Sequence, residues 1–353
     1  MAKKPAQPDI IGTGIPEAWD PLEPGSEDPG MYLAAQRREI RNILKSYTGY
    51  YDLFAELIQN ALDAVERRIT TGENDYQAAV WIVIDLAHQS IRVTDNGTGM
   101  DLYQFKNFLR PNMSFKEGRI SRGCKGVGAT YLGYGFNRLE VTTKRDKQTL
   151  TGRLLGGREW VEDKTETKPR PKVEQCEIDD PDFKKLTSCT SMTVTLAGED
   201  IRPKDLTWIG ATTADLWLAI LRVVSAIGGL YLCGEAAPAV KVVVMVVAPD
   251  GTETSATLAH PRYLYPHELF TKTVRLSEFL EDQARRADSG GDTSRIPPKY
   301  RNLNGIWGEW TIEDILSGAN RCPINIRLDD AERESALQLG IRVYVFLAFS
   351  VEL

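Results

Sequence analysis

Glu56, Asn60 and Asp63 stand at i, i+4 and i+7 of a helical pattern running from Phe54 to Glu66, so two carboxylates and an amide project from one face. Leu57, Ile58, Leu62 and Val65 take neighbouring apolar positions, which wedges the polar stripe beside a core. Such a stripe is costly to bury unless a cation or water lies opposite, and it suits a hydrated divalent ion, magnesium first. The alternative is a solvated face of an amphipathic helix, continued by Glu66 and Arg67.

A second stretch, Ile91 to Met100, is a half-buried strand that runs into Asp95-Asn-Gly97-Thr-Gly99-Met100. The glycines permit positive φ and close approach, leaving room for a flat base, and Asp95 at the strand end can accept a hydrogen bond from an exocyclic amine such as adenine's. A plain hairpin or helix-entry turn would read the same way. A third stretch, Ser121 to Thr130, carries Gly123, Lys125, Gly126 and Gly128 before an apolar helix. Its backbone N–H groups and lysine could cradle phosphate, although a surface loop with a chance lysine is equally compatible. The chain has no G-x-x-x-x-G-K-[ST] sequence, so no P-loop is expected.

These stretches need elements to hold them. Helical patterns cover Tyr32 to Tyr47 and about Tyr51 to Ile69; strand-like runs cover 79–85 and 90–94, joined by a turn at His88 and Gln89. A short helix is expected at 101–109 and another near 129–134, with strands at about 138–144, 149–156 and 191–196. The polar stretch 162–185 reads as a solvated insertion. A helix is expected at about 211–232, and its apolar stretch from Leu216 to Leu232 falls short of a membrane span and contains Arg222 and the Gly228-Gly229 pair. The run Ala239 to Ala248 then opens a new α/β region that includes a polar loop, 285–299. The expected domains are an extended arm at 1–30, a first domain at 31–235 and a second at 236–353. The chain ends within the apolar run 341–351, which suggests a fragment, or a subunit whose last strand a partner covers.

Composition narrows the function class. With 353 residues and a net charge of −6, the chain is not a wholly basic nucleic-acid or membrane binder. Five scattered cysteines and three histidines exclude a structural zinc framework, and no apolar segment follows the first lysines, so a cytoplasmic location is expected.

In order, the three stretches resemble the N, G1 and G2 boxes of the GHKL superfamily, which includes DNA gyrase B subunits, ninety-kilodalton heat-shock chaperones, histidine kinases, MutL mismatch-repair proteins and Microrchidia ATPases. The resemblance covers about residues 40–200 and is nearest to the Microrchidia, MutL and chaperone-like branches. It implies an α+β fold of Bergerat type, a mixed sheet with helices on one face, followed by a transducer-like α/β domain. It implies ATP and magnesium as ligands. Glu56 would polarise the attacking water and Asn60 would hold magnesium, with Asp63 beside them. Asp95 would bind the adenine amine, with Gly97, Gly99 and Met100 shaping the base pocket. Gly123, Lys125, Gly126, Val127 and Gly128 would lie along the polyphosphate, Lys125 stabilising its charge. A lid at 110–118 resembles the family's Ser-x-Lys in Ser114 and Lys116, and Thr190 resembles the threonine below adenine, although Cys189 stands where the family has glycine.

Glu56 favours hydrolysis over histidine phosphorylation, since histidine kinases usually carry asparagine there and no histidine precedes Glu56. The expected function is a magnesium-dependent ATPase switch that closes a lid, forms a homodimer on ATP and drives a clamp on DNA, including in bacterial anti-phage defence. A chaperone-like ATPase acting on protein clients and a non-hydrolysing nucleotide-sensing scaffold are the alternatives. No membrane partner is expected. Lys241, Lys272 and Lys299 are candidates for the lysine by which a transducer reaches the γ-phosphate.

Overall fold

The computed structural model describes residues 10–11, 15–16, 29–113, 126–165, 167–176, 183, 185–229, 239–263, 265–269 and 272–348. Most of the expected arm and lid, including Ser114 and Lys116, lies outside them, as do Gly123, Cys124 and Lys125 of the glycine-rich stretch and the last residues of the chain. Within the arm, β1 (Ile10–Ile11) and β2 (Ile15–Pro16) pair antiparallel. Next come α1 (Pro29–Lys45) and α2 (Asp52–Thr70), then the hairpin β3 (Ala78–Asp85) and β4 (Ser90–Asp95).

After the hairpin the chain forms α3 (Leu102–Asn107), α4 (Gly128–Tyr134), β5 (Arg138–Arg145), β6 (Gln148–Leu155), α5 (Gly157–Glu162), β7 (Val173–Glu174) and β8 (Cys189–Thr195). It continues through α6 (Ala214–Val224), β9 (Val240–Val247) and β10 (Glu253–Leu258). Eight strands make one sheet in the order β10-β9-β3-β4-β8-β5-β6-β7. Its ladders are antiparallel except β3 with β9, which is parallel. The expected mixed sheet is therefore present.

Period-two alternation decides which face is covered. Val80, Ile82, Ile84, Ile91, Val242, Val244 and Val194 are buried, while Trp81, Val83, Val243 and Met245 between them are half-buried. Leu53, Phe54, Leu57, Ile58, Leu62 and Val65 of α2 join the same core. Trp217 of α6 closes it, with its ring 5.3 Å from Phe54 and its indole N–H donating to the Ala211 carbonyl at 2.9 Å.

The chain divides into two compact units at 261/262, downstream of the boundary expected near 235. The run 239–248 opens no new sheet: as β9 it lies between β3 and β10, with Val240, Val242, Val244 and Val246 fully buried. A valine-rich strand reads the same whether it founds a sheet or joins one, because only its pairing partner differs. The second unit holds α7 (Pro266–Leu269), β11 (Thr273–Arg275), α8 (Leu276–Asp288), β12 (Gly305–Thr311), α9 (Ile312–Ser317), α10 (Asp330–Gln338) and β13 (Arg342–Ala348). Its three strands run in the order β11-β12-β13, the first pair parallel and the second antiparallel. The expected polar loop 285–299 begins as helix, since α8 continues to Asp288 with Arg285 and Arg286 complementing its C-terminal dipole.

Candidate active site

One turn apart on α2, Glu56 and Asn60 face a cavity of about 550 Å³. Leu57, Ala61, Ala64 and Arg67 continue that wall, Val93 and Asp95 come from β4, Thr190 and Met192 from β8, and Gly126, Val127, Gly128 and Ala129 from the entry to α4. Glu56, Asn60, Asp95, Gly99, Met100, Gly126, Val127, Gly128 and Thr190, all singled out from the sequence, thus meet around one space. The cavity is large enough for a small-molecule ligand.

Two expected residues take other places. Asp63 is buried and does not line the cavity. Helical periodicity gives a side chain's direction, not what packs over it. Gly97 does not line the cavity either: a Cβ there would stand 2.5 Å from the Ala64 carbonyl carbon, so its missing side chain admits α2 rather than a base. Gly99, at φ +62°, likewise lets the chain pass close to the Lys144 carbonyl.

Asp95 is buried in the cavity floor, where its Oδ1 accepts the Gly97 N–H at 2.8 Å. Burial raises its carboxyl to about 7, against the opposing pull of the Gly97 and Thr190 N–H groups and the Arg67 charge. Thr190 is its cross-strand neighbour. Thr143 ties this floor together: its hydroxyl donates to the Cys189 carbonyl at 3.0 Å, lies 3.1 Å from the Thr190 hydroxyl and accepts the Met100 N–H at 2.8 Å. Cys189 in the family's glycine position is fully buried and serves the site through its carbonyl.

At the opposite end, Glu56 Oε1 accepts the Tyr47 hydroxyl at 2.8 Å, and Oε2 packs against Gly128, where a Cβ would collide with it. Gly126, at φ +66°, brings the turn into α4 against the backbone of Asn112 and Met113. Tyr47, Arg67, Gln104 and Thr143 belong to the site or its support and escaped the sequence reading. Arg67 alone carried a signal, at the end of the same helical stripe.

Among the described residues no group of three or more His, Cys, Asp or Glu could hold a metal ion by itself. Asn60 beside Glu56 on an open cavity wall nevertheless fits magnesium, which takes one or two protein ligands and completes its shell with water and phosphate oxygens. Of the candidate lysines, Lys241 is exposed on β9 within the first unit, and Lys299 pairs with Asp282 at 2.8 Å. Among the described residues no helix is long and apolar enough to cross a membrane.

Residues 51–192 match the family described as histidine kinase-, DNA gyrase B-, and HSP90-like ATPase. No curated protein matches the chain.

Proposed function

Residues 51–192 are an ATPase domain of the GHKL superfamily with the Bergerat α/β sandwich, and on that premise we propose that this chain binds ATP with magnesium and hydrolyses it. The observation that carries the reading is the convergence of Glu56, Asn60, Asp95 and the Gly126–Gly128 turn on one cavity. Asp95 takes the adenine amine and Asn60 holds the cation. Bound magnesium would neutralise charge on the phosphate oxygens. Glu56 orients water toward the terminal phosphorus. The water oxygen bonds to phosphorus as the bond to the bridging oxygen breaks, ADP leaves with that electron pair, and the water proton passes to the Glu56 carboxylate. The family resemblance gives Lys125 a share of the phosphate charge.

Calorimetric titration with magnesium and a non-hydrolysable ATP analogue tests binding, and release of phosphate tests turnover. Asp95→Asn is expected to abolish binding. Glu56→Gln is expected to bind the analogue normally while losing roughly a hundredfold or more in turnover. If Glu56→Gln keeps wild-type turnover, hydrolysis through this carboxylate is excluded. If the wild type binds but does not turn over, the nucleotide-sensing scaffold is the better reading.

The finer reading is a cytoplasmic switch that dimerises on ATP and clamps DNA, as in anti-phage defence, with residues 262–353 as its transducer-like part. It rests on the family resemblance. Light scattering with and without analogue tests dimerisation, and salt-sensitive DNA binding that requires nucleotide tests the clamp. Nucleotide-dependent capture of unfolded protein in place of DNA would favour the chaperone-like alternative.

A further inference from the structure

Tyr47 lies nine residues before Glu56, outside the motifs, on the segment linking α1 to α2. Its hydroxyl donates to Glu56 Oε1 at 2.8 Å, and both residues line the cavity. The ring itself is held: it stacks on Tyr131 of α4 with centroids 4.0 Å apart and planes within 5°. Tyr131 is buried and in turn meets Phe136 edge-on at 5.5 Å. Tyr47 is therefore anchored by the helix that begins at the glycine turn.

We propose that Tyr47 is a positioning residue for the Glu56 carboxylate, fixing Oε1 so that Oε2 stays turned toward the Gly128 turn, where the terminal phosphate and its attacking water would lie. The inference rests on the ATPase reading above and deepens it. A carboxylate on a glutamate side chain has three torsions, and a general base gains rate only in the geometry that reaches its water. A charge-assisted hydrogen bond from a stacked phenol restricts that freedom at Oε1. Burial, then the neighbouring Glu56 charge, pushes the Tyr47 phenol well above its ordinary range, so it remains a donor at any working pH. A hydrogen bond donated to a carboxylate favours its ionised form, the form that can take a proton.

The test is Tyr47→Phe in the full chain, which keeps the ring stack and removes only the donor. The expected result is a roughly tenfold fall in kcat with KM for ATP within about twofold. The acid limb of the kcat profile should move up by about one pH unit, and the Glu56 carboxyl, followed by carbon NMR in the nucleotide-free protein and assigned with Glu56→Gln, should titrate higher by the same amount. Unchanged kcat and an unmoved Glu56 titration in a chain that hydrolyses ATP would overturn the positioning role and leave the ATPase reading standing. Equal loss of affinity and turnover, with the titration unmoved, would reduce Tyr47 to a structural support and also overturn it. A wild-type chain that fails to hydrolyse ATP would overturn the ATPase reading itself, whatever the NMR titration reports about the Tyr47–Glu56 bond.

Discussion

Asp95 carries an opposition between stability and binding. Burial raises its carboxyl to about 7, above its ordinary value. Its favourable contribution to the empty fold is therefore fully present below the ordinary carboxylate range and is lost as pH rises through about 7. An amine donor prefers the ionised acceptor, so nucleotide should bind more weakly by about tenfold per pH unit below that point. Calorimetry near pH 7 in buffers of different ionisation enthalpy should detect proton release on binding. Between pH 6 and 8 the empty wild type should lose more thermal stability than Asp95→Asn, whose amide does not ionise. Asp95 was legible in the sequence only because its strand and two-glycine turn stand in order between the other two stretches; alone, a plain hairpin or helix-entry turn would read the same way. Tyr47 and Thr143 were not legible, because their partners are set by packing between elements rather than by spacing within one.

Both glycines of the turn after β4 make room for neighbouring elements, although only Gly97 is absent from the cavity wall and Gly99 lines it. Gly97 lets the turn lie on α2 at Ala64, and Gly99 lets it pass Lys144. Gly97→Ala should push the turn away from α2, costing about 1–3 kcal/mol by overpacking and displacing Asp95. The check is a lower urea midpoint at unchanged m-value together with weaker analogue binding. The sequence assigned both glycines to the base pocket, and of the two only Gly97 lies away from the cavity. A glycine's meaning depends on which atoms fill the space its side chain would take, and those atoms came from α2 and β5.

At the scale of the molecule, the first sheet needs β9. That strand lies between β3 and β10, and its alternate valines are fully buried. Truncation after residue 261 should leave a folded unit that binds the analogue, because it follows the observed division between units. Truncation after residue 235 should expose the β3 edge and yield aggregated protein with no cooperative thermal transition. Circular dichroism, size-exclusion chromatography and calorimetry on the two truncations would separate the outcomes.

The sequence by itself determined what is local and periodic: the α2 pattern that sets Glu56 and Asn60 one turn apart, the strand leading to Asp95, the glycine turn before α4, and so the family. These depend on spacing within single elements, where geometry follows directly from residue number. Tertiary structure alone decided that Asp63 and Gly97 pack inside, that β9 joins the first sheet, and that Tyr47 and Thr143 hold the site's two ends. Each of those outcomes depends on which element lies against which, and hydrophobic patterning marks a face to be buried without naming its partner.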